Sequence, residues 1–157
     1  MYSIQPVLWS TLSHLQHAQL KPLLLVADPS WVEIETYLFN AKLFVMLNAQ
    51  AQIIAQLCLL ETDDQAEIKN LTVAESYQGQ GLAKALIQHA IEYAKQLNLH
   101  RLWVKTGNSS LDQLALYQKC GFRLSHIERD VFKDYPEPIY ENGIACLDQV
   151  VLGIILS

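Results

Sequence analysis

The chain has 157 residues, the length of one ordinary domain and too short for two independent cores. About half of it (51%) is hydrophobic and only 17% is charged, which excludes intrinsic disorder. A formal net charge of −5 and the lack of any Lys/Arg run argue against nucleic acid as the main ligand, because phosphate recognition needs a basic stripe.

Cys58, Cys120 and Cys146 form an odd set, far apart and without a CxxC pair, so neither a disulfide framework nor a zinc site is expected, and no metal. The opening MYSIQPVLWSTL lacks a basic region followed by an apolar run, and no secretory leader is expected. Apolar stretches such as Leu23 to Ala27 fall far short of the ~20 residues of a membrane span. The expectation is a soluble cytoplasmic domain that engages neither membrane nor nucleic acid.

In chain order, Ile4 to Leu12 reads as a first strand, and the segment to Ala27 as helical pieces broken by Pro22. Asp28-Pro29-Ser30, with Glu33 three residues after Ser30, is a helix start; that helix should run to about Asn40 with Trp31, Ile34 and Leu38 on one face. KLFVMLNAQ and QIIAQLCLLET form a predicted hairpin, and after the acidic turn Glu61 to Gln65 comes a strand from Ala66 to Val73. A helix from roughly Gly79 to Leu97 repeats Leu82, Leu86, Ala90, Ile91, Ala94 and Leu97 at steps of three and four, so one face packs on a sheet. HRLWVKT is a strand, Ser110 to Lys119 a short helix, and Gly121 its cap. FRLSHIERDVF and ACLDQVVLGIIL close the chain as two strands separated by a loop rich in Tyr, Pro and Glu. VVLGIIL is apolar on both faces, which suits burial between strands and suggests a homodimer seam there. The order predicts a mixed α/β sheet domain.

The chemistry is concentrated in AEIKNLTVAESYQGQGLAKALI. A strand ends at Val73, and Gln78-Gly79-Gln80-Gly81-Leu82-Ala83 opens a helix. Glycines let the main chain approach a ligand closely, and the first helical turn leaves N–H groups without acceptors. Together with the helix dipole these make a pyrophosphate site, with Lys84 adding charge at its rim. The chain has no GxxxxGK[ST] loop, and the glycine spacing is not GxGxxG.

Strand, Q-x-x-G-x-A turn, long helix, strand, then Asn108 and LALYQKCGF resemble, in order from Ala66 to Phe122, the GNAT family of acyl-CoA N-acyltransferases. The resemblance implies a GNAT fold: a mixed, mostly antiparallel sheet whose two central strands splay apart to admit acetyl-CoA, with flanking helices. It implies that main-chain groups of the Leu71-Thr72-Val73 segment pair with the pantetheine arm. It also implies that amides of Gln78, Gly79, Gln80, Gly81, Leu82, Ala83 and Lys84 hold the pyrophosphate, and that Asn108 and Tyr117 meet the pantetheine and thioester. Gln78 stands where many relatives have Arg, one charge fewer at the phosphates. The function implied is acetyl-CoA-dependent transfer of an acetyl group to a primary amine of a small molecule or peptide. The alternative is an acyl-CoA-binding module of the same fold, acting as a sensor or partner domain without turnover.

A lysine-like amine with a pKa of about 10.4 is neutral in only about one molecule in 2,500 at pH 7, so a base is useful. Glu67 is the candidate: on a two-residue period it shares a face with Leu71 and Val73, and some GNAT enzymes carry a glutamate at the matching place. Tyr117 is the candidate acid for the departing thiolate, its phenol proton being held more tightly than a thiol's. Cys120 reads as core filler, His14 and His17 lack further ligands, and nothing positions Ser109, His126 and Asp112 as a triad. On the acceptor side, Asp130 to Asn142 is a long connection stiffened by Pro136 and Pro138. Tyr135, Glu137, Tyr140 and Glu141 are expected to line a lid that draws a cationic amine into the cleft.

Overall fold

A computed structural model describes residues 2–156. Strand β1 (Ser3–Val7) leads through a short 3-10 turn, Trp9–Thr11, to helices α1 (His14–Ala27) and α2 (Trp31–Leu38). The antiparallel strands β2 (Lys42–Leu47), β3 (Ile53–Thr62) and β4 (Gln65–Val73) follow. Helix α3 (Leu82–Gln96), strand β5 (Arg101–Gly107), helix α4 (Leu111–Lys119) and strand β6 (Arg123–Glu128) complete the second half. A two-stranded hairpin, β7 (Tyr140–Glu141) and β8 (Ile144–Ala145), precedes the last strand, β9 (Gln149–Ile155). The main sheet has the order β1-β2-β3-β4-β5-β9-β6, and β4–β5 is its one parallel pair. This is the mixed, mostly antiparallel sheet with flanking helices that the resemblance implied.

Two cores sandwich the sheet. Leu82, Leu86, Ile87, Ala90, Ile91 and Ala94 of α3 pack on Leu57, Leu59, Ile68, Leu102, Val104 and Leu152. On the opposite face Leu20 and Leu24 of α1 with Ile34 and Leu38 of α2 cover Leu43, Val45 and Cys58. Pro22 does not break α1. Its ring and Ala18, whose carbonyl loses its usual partner, are both on the exposed side of the helix, while Leu20 and Leu24 anchor the buried side. A Ser13–Gln16 capping box fixes the start of the helix, and the Ser30 side chain accepts from Glu33 N–H at the start of α2.

The parallel β4–β5 ladder is short. It runs from Gln65 opposite Arg101 to Ile68 opposite Val104 and then stops, while β4 stays paired with β3 to Val73 and β5 with β9 to Gly107. The sheet therefore opens between its two central strands. A bulge on β4 accompanies the opening: Ile68 pairs with Leu59 and Asn70 with Cys58, leaving Lys69 without a partner on β3.

The C-terminal strand β9 lies between β5 and β6, as its two apolar faces suggested, with Val151 and Leu152 buried and Ile155 exposed. With β6 beside it, the outer edge is β6, and a seam made by strand pairing along β9 is thereby closed off. The Tyr, Pro and Glu-rich connection is not all loop. Asn142 and Gly143, both at positive φ, turn the β7–β8 hairpin, a two-residue turn whose twist suits paired strands. Among the described residues no helix is long and apolar enough to cross a membrane.

Candidate active site

A cleft of about 940 Å³ occupies the gap between β4 and β5. One end is main chain. Gly79 and Gly81 have φ values of +81° and +78°, and no atom lies within 4 Å of where a Cβ would stand on either, so the requirement for glycine comes from backbone conformation. Positive φ at these residues also delays the helix, which starts at Leu82 and not at Gly79. The first helical bond is from Ala85 N–H to the Gly81 carbonyl, and the N–H groups of Gly79 through Lys84 find no acceptor among the described residues. They stand at the N-terminus of α3, where the dipole favours an anion. The Gln78 side chain turns back to donate to the Val73 carbonyl at 3.0 Å, bracing the loop against the end of β4. Gln80 accepts from the Tyr2 hydroxyl and, unlike its neighbours, does not line the cleft.

The middle of the cleft is the parted sheet. Leu71 and Val73 pack their side chains toward the α3 core, and their main chain borders the gap. Asn70 and Thr72 point the other way. Asn70 Nδ2 donates to the Leu24 carbonyl at 3.0 Å and to the Tyr37 hydroxyl at 3.1 Å, while its Oδ1 accepts from Gln56. Thr72 donates to the Leu23 carbonyl at 2.7 Å. These buried bonds lock the end of α1 onto β4 and set the α1–α2 turn at the mouth of the cleft.

The bulge corrects the expected face of Glu67. Glu67 sits opposite Leu60, and past the bulge it is Asn70 and Thr72, opposite Cys58 and Gln56, that share its side of the sheet. Leu71 and Val73 face away from it, because one extra residue shifts the two-residue alternation by one step. Glu67 still borders the cleft, paired with Lys69 Nζ at 3.2 Å, and the Lys69 ammonium lies 5.4 Å from the centre of the Tyr37 ring.

Tyr117, on α4, is only 5% exposed and contacts Phe122 edge-on, yet it also lines the cleft. Its hydroxyl makes no hydrogen bond among the described residues, and burial pushes its pKa above the ordinary phenol value. A neutral donor is thus held ready on the β5 side of the gap. Asn108 is placed differently from expectation: it does not line the cleft. Its Nδ2 donates to the Ala145 carbonyl, and its Oδ1 accepts from the N–H groups of Leu147 and Asp148. It ties the end of β5 to the segment after β8, so its polar atoms are committed within the chain.

The far end of the cleft is made of side chains from separate elements. Asp28 comes from the α1–α2 turn, Glu33 and Tyr37 from α2, and Tyr135 and Glu141 from the late connection. Burial raises the Asp28 pKa despite the Ser30 N–H bond that lowers it, and the nearby Glu33 raises it further. The Tyr135 hydroxyl is pushed up to about 12, first by burial and then by the charges of Asp28 and Glu33, which shows how near the connection comes to the α1–α2 turn. Glu141 accepts from the hydroxyls of Ser110 at 2.9 Å and Ser109 at 3.4 Å. Glu137 and Tyr140 are exposed and do not line the cleft, so two of the four residues expected of a lid reach the site. Asp28 and Glu33 were read from sequence only as helix-start residues; the same Asp-Pro-Ser-x-x-Glu signal places their carboxylates here. Among the described residues no group of three or more His, Cys, Asp or Glu is arranged to hold a metal.

The comparisons with known proteins agree with this geometry. The Acetyltransferase (GNAT) family model matches residues 9–122. The uncharacterized N-acetyltransferase YvbK of Bacillus subtilis is 44% identical over 136 residues, covering 85% of this chain and 87% of that protein. Among solved structures, the IAA acetyltransferase of Bacillus cereus superposes with a TM-score of 0.89 at 42% identity, over 99% of this chain and 100% of that one. A GNAT family acetyltransferase from Elizabethkingia anophelis, solved with acetyl-CoA bound, gives a TM-score of 0.88 at 40% identity, over 99% and 98% of the two chains. A local turn, a parted sheet and relatives matched over nearly the whole chain lead to one conclusion: this protein belongs to the acetyltransferase (GNAT) family and is an acetyltransferase.

Proposed function

We propose that the protein transfers an acetyl group from acetyl-CoA directly to a primary amine of a small molecule or peptide, without an acyl-enzyme intermediate. The observation that carries this reading is the opening of the sheet after Ile68 and Val104. It joins in one cleft the head of α3 with Gly79 and Gly81 to Lys84, the Tyr117 hydroxyl, which has no partner among the described residues, and the carboxylates of Asp28 and Glu33.

In this reading the amides at the head of α3 bind the pyrophosphate of acetyl-CoA, and the main chain from Leu71 to Val73 pairs with its pantetheine arm as an added strand would. Asp28 and Glu33 favour an ammonium group at the acceptor end, and the partial burial of Asp28 strengthens its share of that attraction. Glu67 takes the amine's proton, directly or through water, from a position beside Lys69, whose ammonium lies 3.2 Å away. As the amine attacks the thioester carbon, the C–S bond breaks, the acetyl group stays on nitrogen, Tyr117 donates its proton to the departing sulfur, and the proton that the nitrogen then sheds restores the Tyr117 phenol. Burial lets Tyr117 remain protonated at the alkaline pH where the acceptor is most often neutral.

Free thiol release distinguishes transfer from mere acyl-CoA binding. With acetyl-CoA alone CoA should not accumulate; with a panel of polyamines, aminoglycosides, amino acids and peptide N-termini, at least one acceptor should release it and gain the mass of one acetyl group. Binding of acetyl-CoA without release on any amine would favour the sensor module.

A further inference from the structure

The seven-stranded sheet has two outer edges, β1 and β6, finished in different ways. β1 carries Pro6, which has no N–H to offer a further strand. β6 has no proline and no lysine, and each of its residues but Glu128 is exposed, among them Leu124 at 58% and Ile127 at 60%. An uncovered edge of this kind is a template for pairing.

The order of residues along it names the partner. Arg123-Leu124-Ser125-His126-Ile127-Glu128 is self-complementary when laid antiparallel against itself: Arg123 meets Glu128, Leu124 meets Ile127 and Ser125 meets His126. Residues directly opposed in an antiparallel pair lie on the same face. In a regular strand Leu124 and Ile127, three apart, would lie on opposite faces, and a twofold axis through the sheet would forbid this register. A bulge removes the conflict. Leu124 pairs with Leu152 and Ile127 with Val150, two residues apart on β9, so Leu124 and Ile127 share the face that carries α3. Arg123 and Glu128, opposite Gly153 and Gln149, share the other face. Glu128 already lies 3.2 Å from Lys105 Nζ, and a carboxylate has lone pairs for a second cation.

We propose that β6 is the pairing edge of a homodimer, in which two copies of the sheet join antiparallel about a twofold axis between Ser125 and His126. The apolar pair Leu124–Ile127 then repeats on one face and the ion pair Arg123–Glu128 on the other. This moves the seam one strand outward from the C-terminal strand.

Sedimentation velocity over a concentration series tests the association, and charge reversal tests the register. The native chain should dimerise. Arg123→Glu and Glu128→Arg should each raise the dimer dissociation constant about tenfold or more, and the double reversal should recover most of that loss. Melting curves of each variant establish that the fold is retained. Independently, a mixture of Leu124→Cys and Ile127→Cys chains should form an oxidised cross-link between the two variants, which neither forms alone, because each cysteine's neighbour across the axis is the other position. A native chain that stays monomeric up to about 1 mM overturns the proposal. So does a dimer indifferent to both reversals with no mixed cross-link, since another surface then holds it.

Discussion

The two ends of the cleft are made of different material. At the Gly79–Lys84 end the groups on offer are main-chain N–H groups from consecutive residues, held by two glycines at positive φ and the start of one helix. At the other end they are side chains from α1, α2, β4 and the late connection, brought together by buried bonds from Asn70 and Thr72 to the end of α1. Main-chain recognition suits a ligand that every relative shares, because it depends on conformation and tolerates changes of side chain. Side-chain recognition suits a ligand that differs among relatives.

This contrast can be broken most severely at Gly81. Gly81→Val forces a β-branched residue to φ +78°, and with no steric obstacle nearby the damage should be conformational. Calorimetry should show the Kd for acetyl-CoA raised about a hundredfold, with Gly81→Ala several-fold milder. At the centre, Tyr117→Phe should lower kcat by about 10- to 100-fold while leaving acetyl-CoA affinity within twofold. Because burial raises the Tyr117 pKa, the native pH–rate profile should show no fall attributable to this group below about pH 10, the ordinary phenol value. Glu67→Gln should lower kcat about tenfold and steepen the rise of rate with pH, as more of the reaction comes to depend on amine already neutral in solution.

The acceptor end sharpens the contrast. Asp28→Asn should raise the KM for an amine by about three- to tenfold and leave acetyl-CoA binding unchanged. Its effect on stability has the opposite sign. The raised Asp28 pKa means that the folded chain binds this proton more tightly than the unfolded chain, so the benefit is fully present below the ordinary aspartate value and is lost as pH rises through the folded value. At pH 7 the ionised carboxylate is a burden that Asn lacks, and the Tm of Asp28→Asn should rise by about 2 °C at pH 7 and not at pH 3. The smallest effect belongs to Glu137→Gln: exposed and away from the cleft, it should change KM and kcat by less than about twofold.

The same division explains what could be read without coordinates. The glycine turn, the periodic face of α3 and the β2–β3 hairpin are local signals within a few residues of one another, and each lies where the pattern placed it, give or take the helix start. Errors arose where one residue changes a long-range relation. The extra residue at Lys69 turned Glu67 away from Leu71 and Val73, and nothing in QAEIKNLTV marks a bulge, since its partner strand β3 is what leaves Lys69 unpaired. Pro22 looked like a helix breaker because sequence does not show that it and Ala18, whose carbonyl it frees, lie on the exposed side of α1. The Asn142-Gly143 turn, by contrast, was legible as a hairpin signal and lay hidden in a segment read by composition.

By itself, then, the amino-acid order determined the main helices and strands from β2 to α4, and that a glycine turn opens α3, because both follow from the preferences of neighbouring residues. The tertiary structure alone decided which carboxylates share the cleft, that Asn108 fastens the chain to itself, and that β6 and not β9 forms the edge. Those outcomes depend on pairings between residues far apart in sequence, where burial and strand register, not local preference, set the free energy.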